Sequence, residues 1–120
     1  MNEEKLIAVL AEKEALVRAL VGLSQKQNSA LREKALSRAA EIDIEKSECS
    51  AKIEALDREL RVFGAPGKEH SKTPLNTVKN INSAFEELIN LEKQNEALVS
   101  SMAEHLANAR TESYRKLAGL

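Results

Sequence analysis

The longest regular hydrophobic pattern in the chain covers residues 74–117 and predicts one amphipathic helix. Apolar residues recur there at steps of three and four, which places them along one face of an α-helix. Thr73 as N-cap, Pro74 as first helical residue and Gly119 as the stop set the predicted bounds at 74–118. Such a helix is about 65 Å long. Its apolar face holds Ile81, Phe85, Leu88, Leu91, Asn95, Leu98, Val99, Met102, Leu106 and Ala109.

One position on that face, Asn95, is polar. In a helical seam an asparagine lowers stability while it fixes register or oligomeric state. The alternative is that the side chain turns to the edge of the seam and is hydrated. The pattern alone leaves both interpretations open.

Two further amphipathic stretches precede this helix. The first is apolar at Leu6, Val9, Leu10, Leu16, Val17, Leu20 and Leu23, and then thins out into the polar stretch 24–29. The second has a heptad seam formed by Ile42, Cys49, Ile53, Leu56, Leu60 and Phe63. Lys46 stands where that seam lacks an apolar residue, and we expect its stem to be buried and its ammonium to stay in water.

The polar stretch 24–29 contains no proline or glycine that would force a helix to end, so the sequence leaves open whether residues 3–63 form one helix or two. A single helix would be about 90 Å long and would extend past any partner in the chain. We therefore expect a break near 36–40 with Ser37 as N-cap. The predicted helices are then 3–35, 37–63 and 74–118, with a linker at 64–73.

These helices predict an all-α fold, an elongated antiparallel three-helix bundle or helical hairpin with coiled-coil-like packing, in one domain covering 1–120. Because the first two helices are each about 45 Å long, the carboxyl end of the third should extend past them. An apolar helix face without cover normally has a partner. The residues expected to contact an amphipathic client helix are Leu98, Met102, Leu106, Tyr114 and Leu117.

Composition and charge narrow the classes of function. Charged residues make up 31% of the chain and aromatic residues 2%, which favours long helices over a compact mixed core. The net charge is −1 with the signs interspersed, so neither nucleic acid nor an anionic membrane surface is an expected partner. The longest apolar run, 6–11, is too short to span a bilayer, and Glu3 and Glu4 stand where a signal peptide is positive. We expect a cytoplasmic protein.

No catalytic, cofactor-binding or metal-binding pattern is recognisable. His70 and His105 do not have the spacing of metal ligands. Cys49, at a seam position, is expected to be a small buried hydrophobe rather than a reactive thiol. We therefore expect neither an enzyme nor a cofactor.

Two stretches resemble the FlgN family of flagellar type III export chaperones. LDRELRVFG at 56–64 is similar to the end of that family's second helix, L-x-x-x-R-x-x-L-G. ELINLEKQNEALV at 87–99 is similar to its third-helix signature, L-N-x-x-N followed by two apolar residues. Asn95 matches the second asparagine, whereas Glu92 stands in place of the first.

The resemblance implies a small helical protein that holds hook–filament junction subunits in the cytoplasm and delivers them to the export gate. Family members usually continue past the third helix into a flexible tail implicated in client binding. Here either such a tail is absent, or its role falls to the helix end around Tyr114 and Leu117. The FliT chaperones of the filament cap are similar in size and in all-α layout, and they remain an alternative to the FlgN family.

A second hypothesis, from a different class of function, is a structural coiled-coil module. The same uncovered face would then pair with its own copy in a homodimer. The sequence identifies neither the client nor the oligomeric state.

Overall fold

The fold is taken from a computed structural model that describes residues 3–63 and 72–119. At residues 72, 73, 105–107, 109, 110 and 113 it describes the helix but not the side chain. The helices are α1 (Glu3–Arg32), α2 (Leu36–Phe63) and α3 (Lys72–Leu117), and the described residues contain no strand. The predicted all-α, elongated helical bundle is confirmed.

The long axis of the molecule is 75 Å and the other two are 21 Å each. Contacts between α1 and α2 define an antiparallel pair, because Lys13 lies 2.7 Å from Asp57 while Gln27 donates to Asp43 at 2.6 Å. Residues further along α1 therefore meet residues earlier in α2.

Helix α3 runs parallel to α1. Ser24 meets Glu92 and Asn28 meets Asn95, pairs that are 68 and 67 residues apart in sequence, and a constant separation means a parallel arrangement. Both α2 and α3 pack on α1, whereas no Cα atom of α2 lies within 8 Å of one in α3 among the described residues. Helix α1 thus has the closest backbone contacts with both other helices, and side chains of all three helices meet in the core.

Two apolar clusters form the core. The larger, here the main cluster, contains Leu6, Leu10, Val17, Leu20, Val21, Cys49, Ile53, Ile81 and Ala84. The smaller, here the turn-side cluster, contains Ala30, Leu31, Ala39 and Ile42, with Leu23, Ala35, Leu98 and Met102 packed against it. The heptad seam predicted in α2 is confirmed, because its apolar members all lie on the inner side of the bundle.

The predicted break between the first two helices is present, but α1 ends three residues earlier than expected. Lys34 has a φ of 61°, and the amide of Ala35 donates to the carbonyl of Ala30 at 2.8 Å. The amide of Lys34 donates to Leu31 at 3.1 Å. These two bonds around one left-handed residue form a Schellman motif, which closes a helix.

The start of α2 also differs from the prediction. The carbonyl of Ala35 accepts the first helical hydrogen bond, from Ala39 at 3.0 Å, and α2 begins at Leu36. Ser37 therefore lies inside the first turn and is not the N-cap. The expected N-cap of α3, Thr73, likewise lies inside its helix, which starts at Lys72.

The carboxyl end of α3 extends past the other helices. With a separation of 67 or 68 residues between α1 and α3 partners, the end of α1 lies level with about residue 100 of α3. Residues 103–117, here called the overhang, continue for about 20 Å. Gly119, at a φ of 76°, stands two residues after Leu117, the last helical residue, so the predicted stop is confirmed and the helix ends one residue before the predicted bound of 118.

Candidate functional site

A layer of polar side chains lies between the two apolar clusters and joins all three helices. We call it the polar layer. Its members are Ser24, Gln27 and Asn28 of α1, Lys46 of α2, and Glu92 and Asn95 of α3.

Lys46 and Glu92 form the centre of the polar layer. Nζ of Lys46 donates to Oε1 of Glu92 at 2.5 Å and to Oε1 of Gln27 at 2.8 Å. The hydroxyl of Ser24 donates to the same carboxylate oxygen at 2.6 Å. The side chain of Lys46 is only 14% exposed, so the expectation that its ammonium stays in water is wrong. The reason is that Glu92 and Gln27 replace the water around the ammonium.

Asn95 is 4% exposed and makes three hydrogen bonds, so it does not turn to a hydrated edge. Its carbonyl oxygen accepts from Asn28 at 3.0 Å, and its amide nitrogen donates to the backbone carbonyl of Ser24 at 3.2 Å. The same nitrogen lies 3.4 Å from Oε1 of Gln27. These bonds form only when α3 stands at one height along α1, as expected for a residue that fixes register.

No buried side-chain nitrogen or oxygen in the described residues lacks a hydrogen-bond partner. A polar layer satisfied in this way holds neighbouring helices in one arrangement, since any slip along the axis would break several bonds at once. The layer thereby fixes how far α3 extends beyond the α1–α2 turn.

A cleft of about 580 Å³ opens above the polar layer, between α2 and α3. Its floor includes Leu31 of α1, and its walls include Ala40 of α2 and Val99 of α3. We call it the α2–α3 cleft. The full lining is Gln27, Leu31, Leu36, Ala39, Ala40, Asp43, Glu92, Asn95, Glu96, Val99 and Ser100.

The residue pattern does not predict the α2–α3 cleft. The cleft opens where the backbones of α2 and α3, both closely packed on α1, stay apart, and residue spacing does not report the distance between two helices. The neighbouring small residues Ala39 and Ala40 are the one signal in the sequence, since they leave room between helices.

The overhang is exposed where its side chains are described. Tyr114 is 64% exposed and Leu117 is 85% exposed. Leu106, the third residue predicted to contact a client there, has a side chain outside the described set. None of the described residues of α1 and α2 shields Tyr114 or Leu117.

Leu98 and Met102, also predicted to contact a client, are half-buried and pack against the turn-side cluster. These two side chains therefore pack within the chain, at the end of the bundle where α1 turns into α2. Val99, next to Leu98, is 51% exposed and faces the α2–α3 cleft instead.

Cys49 is buried in the main cluster, as expected for a small hydrophobe, and its Sγ lies 3.2 Å from the carbonyl oxygen of Leu16. Burial raises the pKa of this thiol, and the nearby charge of Lys52 opposes that effect. A raised pKa disfavours the thiolate, the form that reacts with electrophiles and metals.

In residues 3–63 and 72–119, no three His, Cys, Asp or Glu side chains come together in a way that could hold a metal ion. His70 and the side chain of His105 lie outside the described residues. Within the same part of the chain, each helix is too short in apolar sequence to cross a bilayer.

Comparisons of the chain with family models, with curated proteins and with solved structures find no match. The fold and the arrangement of side chains are therefore the observations from which a function is inferred.

Proposed function

We propose that this chain is a cytoplasmic export chaperone similar to the FlgN family, which binds an amphipathic helix of hook–filament junction proteins. It acts by covering a partner and not by catalysis, and it takes no cofactor. The single observation that carries the proposal is the exposure of Tyr114 and Leu117 on a helix that extends about 20 Å beyond its bundle.

A projecting helix of this kind suits the recognition of another helix. Burial of apolar surface contributes about 25 cal/mol per Å², so a few aliphatic and aromatic contacts give micromolar binding after the cost of association. An amphipathic helix laid against α3 would cover the side chains that the chain's own helices leave open.

The similarity to the third-helix signature also supports the proposal. Its two asparagine positions correspond to Glu92 and Asn95, and both side chains belong to the polar layer. Where the signature has an asparagine, this chain has a carboxylate, and Lys46 supplies the matching positive charge at 2.5 Å.

The experiment measures binding of purified hook–filament junction subunits to the wild-type chain and to a Tyr114→Asp, Leu117→Asp variant. Val62→Asp is the matched control, because Val62 is 73% exposed at the opposite end of the bundle. The proposal expects at least about tenfold weaker binding for the double variant, unchanged binding for the control and unchanged helicity for both. Equal binding of all three proteins would reject it.

Two alternatives are separated by related measurements. The exposed face of α3 is also suited to pairing with its own copy, so a coiled-coil dimer predicts a concentration-dependent dimer that Leu117→Asp dissociates in sedimentation. A FliT-like role predicts binding of the filament-cap subunit in preference to junction subunits.

A further inference from the structure

The charged side chains that line the α2–α3 cleft are all acidic. Asp43 stands on the α2 wall, while Glu92 and Glu96 stand on the α3 wall, and no lysine, arginine or histidine is among the lining residues. Glu92 is already paired with Lys46. Asp43 and Glu96 are exposed, one on each wall. Oδ1 of Asp43 accepts a hydrogen bond from the neutral amide of Gln27 at 2.6 Å, which leaves the carboxylate its negative charge towards an incoming cation.

Apart from the amide side chains of Gln27 and Asn95, the rest of the lining is apolar or small. Leu31 forms part of the floor, while Leu36 and Val99, both more than half exposed, form the upper walls. Ala40 and Ser100 have short side chains, which allow another helix to approach the backbone closely. The combination of an apolar floor with a carboxylate on each wall describes a groove for a helix and not a pocket for a small anion.

We infer that the α2–α3 cleft holds a partner's amphipathic helix whose apolar stripe is flanked on both sides by lysine or arginine. The inference rests on the proposed function and names the chemistry of the client segment. The stripe contacts Leu31, Leu36 and Val99, and the flanking cations meet Asp43 and Glu96. Because the cleft lies at the base of the overhang, the same helix continues along α3 towards Tyr114.

The test uses two synthetic helical peptides of about 20 residues with the same leucine stripe. One has lysine and the other glutamate at the positions flanking the stripe. Like charges at those positions also prevent each peptide from pairing with itself. Fluorescence anisotropy of the labelled peptides measures their dissociation constants with the full chain at low salt, where charge preference is largest.

The inference predicts that the lysine peptide binds at least about tenfold more tightly than the glutamate peptide. Ala40→Trp, which fills the cleft from an exposed position, should abolish that binding, whereas Ala51→Trp, exposed elsewhere on α2, should leave it unchanged. Glu96→Lys should reduce the preference for the lysine peptide, and Glu86→Lys, exposed outside the cleft, should not.

Equal affinity for the two peptides overturns the charge assignment. If Ala40→Trp leaves binding of the lysine peptide intact and Leu117→Asp removes it, the cleft is not the binding site, while the proposed function survives. If instead the junction subunits themselves fail to bind, the proposed function fails as well. Self-association of the free chain that Ala40→Trp abolishes would overturn the inference, since the occupant would then be a second copy.

Discussion

Nζ of Lys46 lies 2.5 Å from Oε1 of Glu92, and this ion pair joins α2 to α3 although, among the described residues, no Cα atom of one helix lies within 8 Å of a Cα atom of the other. The two helices are therefore connected through their side chains. Glu92 of this pair lines the α2–α3 cleft, and Ser24 and Gln27 of α1 hold the pair in place.

Loss of Lys46 should therefore destabilise the bundle more than loss of a surface cation does. In Lys46→Met the carboxylate of Glu92 and the amide oxygen of Gln27 both lose a charged donor, and the free energy of unfolding should fall by about 1–3 kcal/mol. Urea unfolding followed by circular dichroism measures the change.

Arg38→Met is the matched control for that measurement. Arg38 pairs with Glu41 at 3.5 Å on the exposed side of α2, and loss of that pair should change stability by less than about 0.5 kcal/mol. Equal effects of the two substitutions would mean that the polar layer does not hold the helices together.

The α1–α2 turn offers a stabilising substitution. Lys34 adopts a φ of 61°, a conformation that costs a residue with a side chain about 1–2 kcal/mol and costs glycine almost nothing. After the greater freedom of glycine in the unfolded chain is subtracted, Lys34→Gly should raise the free energy of unfolding by about 0.5–1 kcal/mol.

Glu33→Gly provides the comparison for Lys34→Gly in thermal unfolding. Among the described non-glycine residues only Lys34 has a positive φ, so glycine at residue 33 gains nothing from the turn and should lower the melting temperature. A lower melting temperature for Lys34→Gly as well would contradict the Schellman geometry.

Cys49 should make stability depend on alkaline pH. Below its ordinary pKa of 9.0 the thiol is protonated in both the folded and the unfolded chain. Burial raises the pKa in the folded chain, so the unfolded chain ionises first as the pH rises. Ionisation then favours unfolding, and stability should fall as the pH rises from 9.0 through the higher pKa of the folded protein.

The measurement compares wild type with Cys49→Val in urea unfolding at neutral pH and above pH 9.0. The wild-type protein should lose more stability over that interval than the valine variant, which has no proton to lose at this position. Equal losses of stability in the two proteins would show that burial in the main cluster does not raise the pKa of the thiol.

Much of the fold could be predicted from residue spacing. The heptad seam from Ile42 to Phe63 corresponds to the inner side of α2, and the predicted face from Ile81 to Leu98 corresponds to the inner side of α3. The end of α1 was predicted less well, because the motif that closes it is centred on Lys34 and contains neither glycine nor proline. A left-handed lysine leaves no mark in the sequence.

The sequence shows each polar residue of the polar layer, but not that these residues contact one another. Lys46 is a gap in one seam, Asn95 a polar residue in another, and 24–29 a polar stretch of α1. Their meeting depends on the height of α3 along α1, which tertiary packing sets and spacing does not. The sequence also does not show at which residue of α3 the bundle ends. Leu98 and Met102, which pack inside the bundle, therefore looked like residues of the overhang.

Hydrogen–deuterium exchange of the backbone amides in α3 tests the central claim, an open helix end that a partner covers, most directly. In the free protein, the described side chains of residues 103–117 are exposed, so the amides of this segment should exchange much faster than those of residues 81–98. A hook–filament junction subunit should slow exchange at 103–117 and leave residues 81–91, which do not line the α2–α3 cleft, unchanged. Slow exchange at 103–117 in the free protein, equal to that at 81–98, would contradict the account.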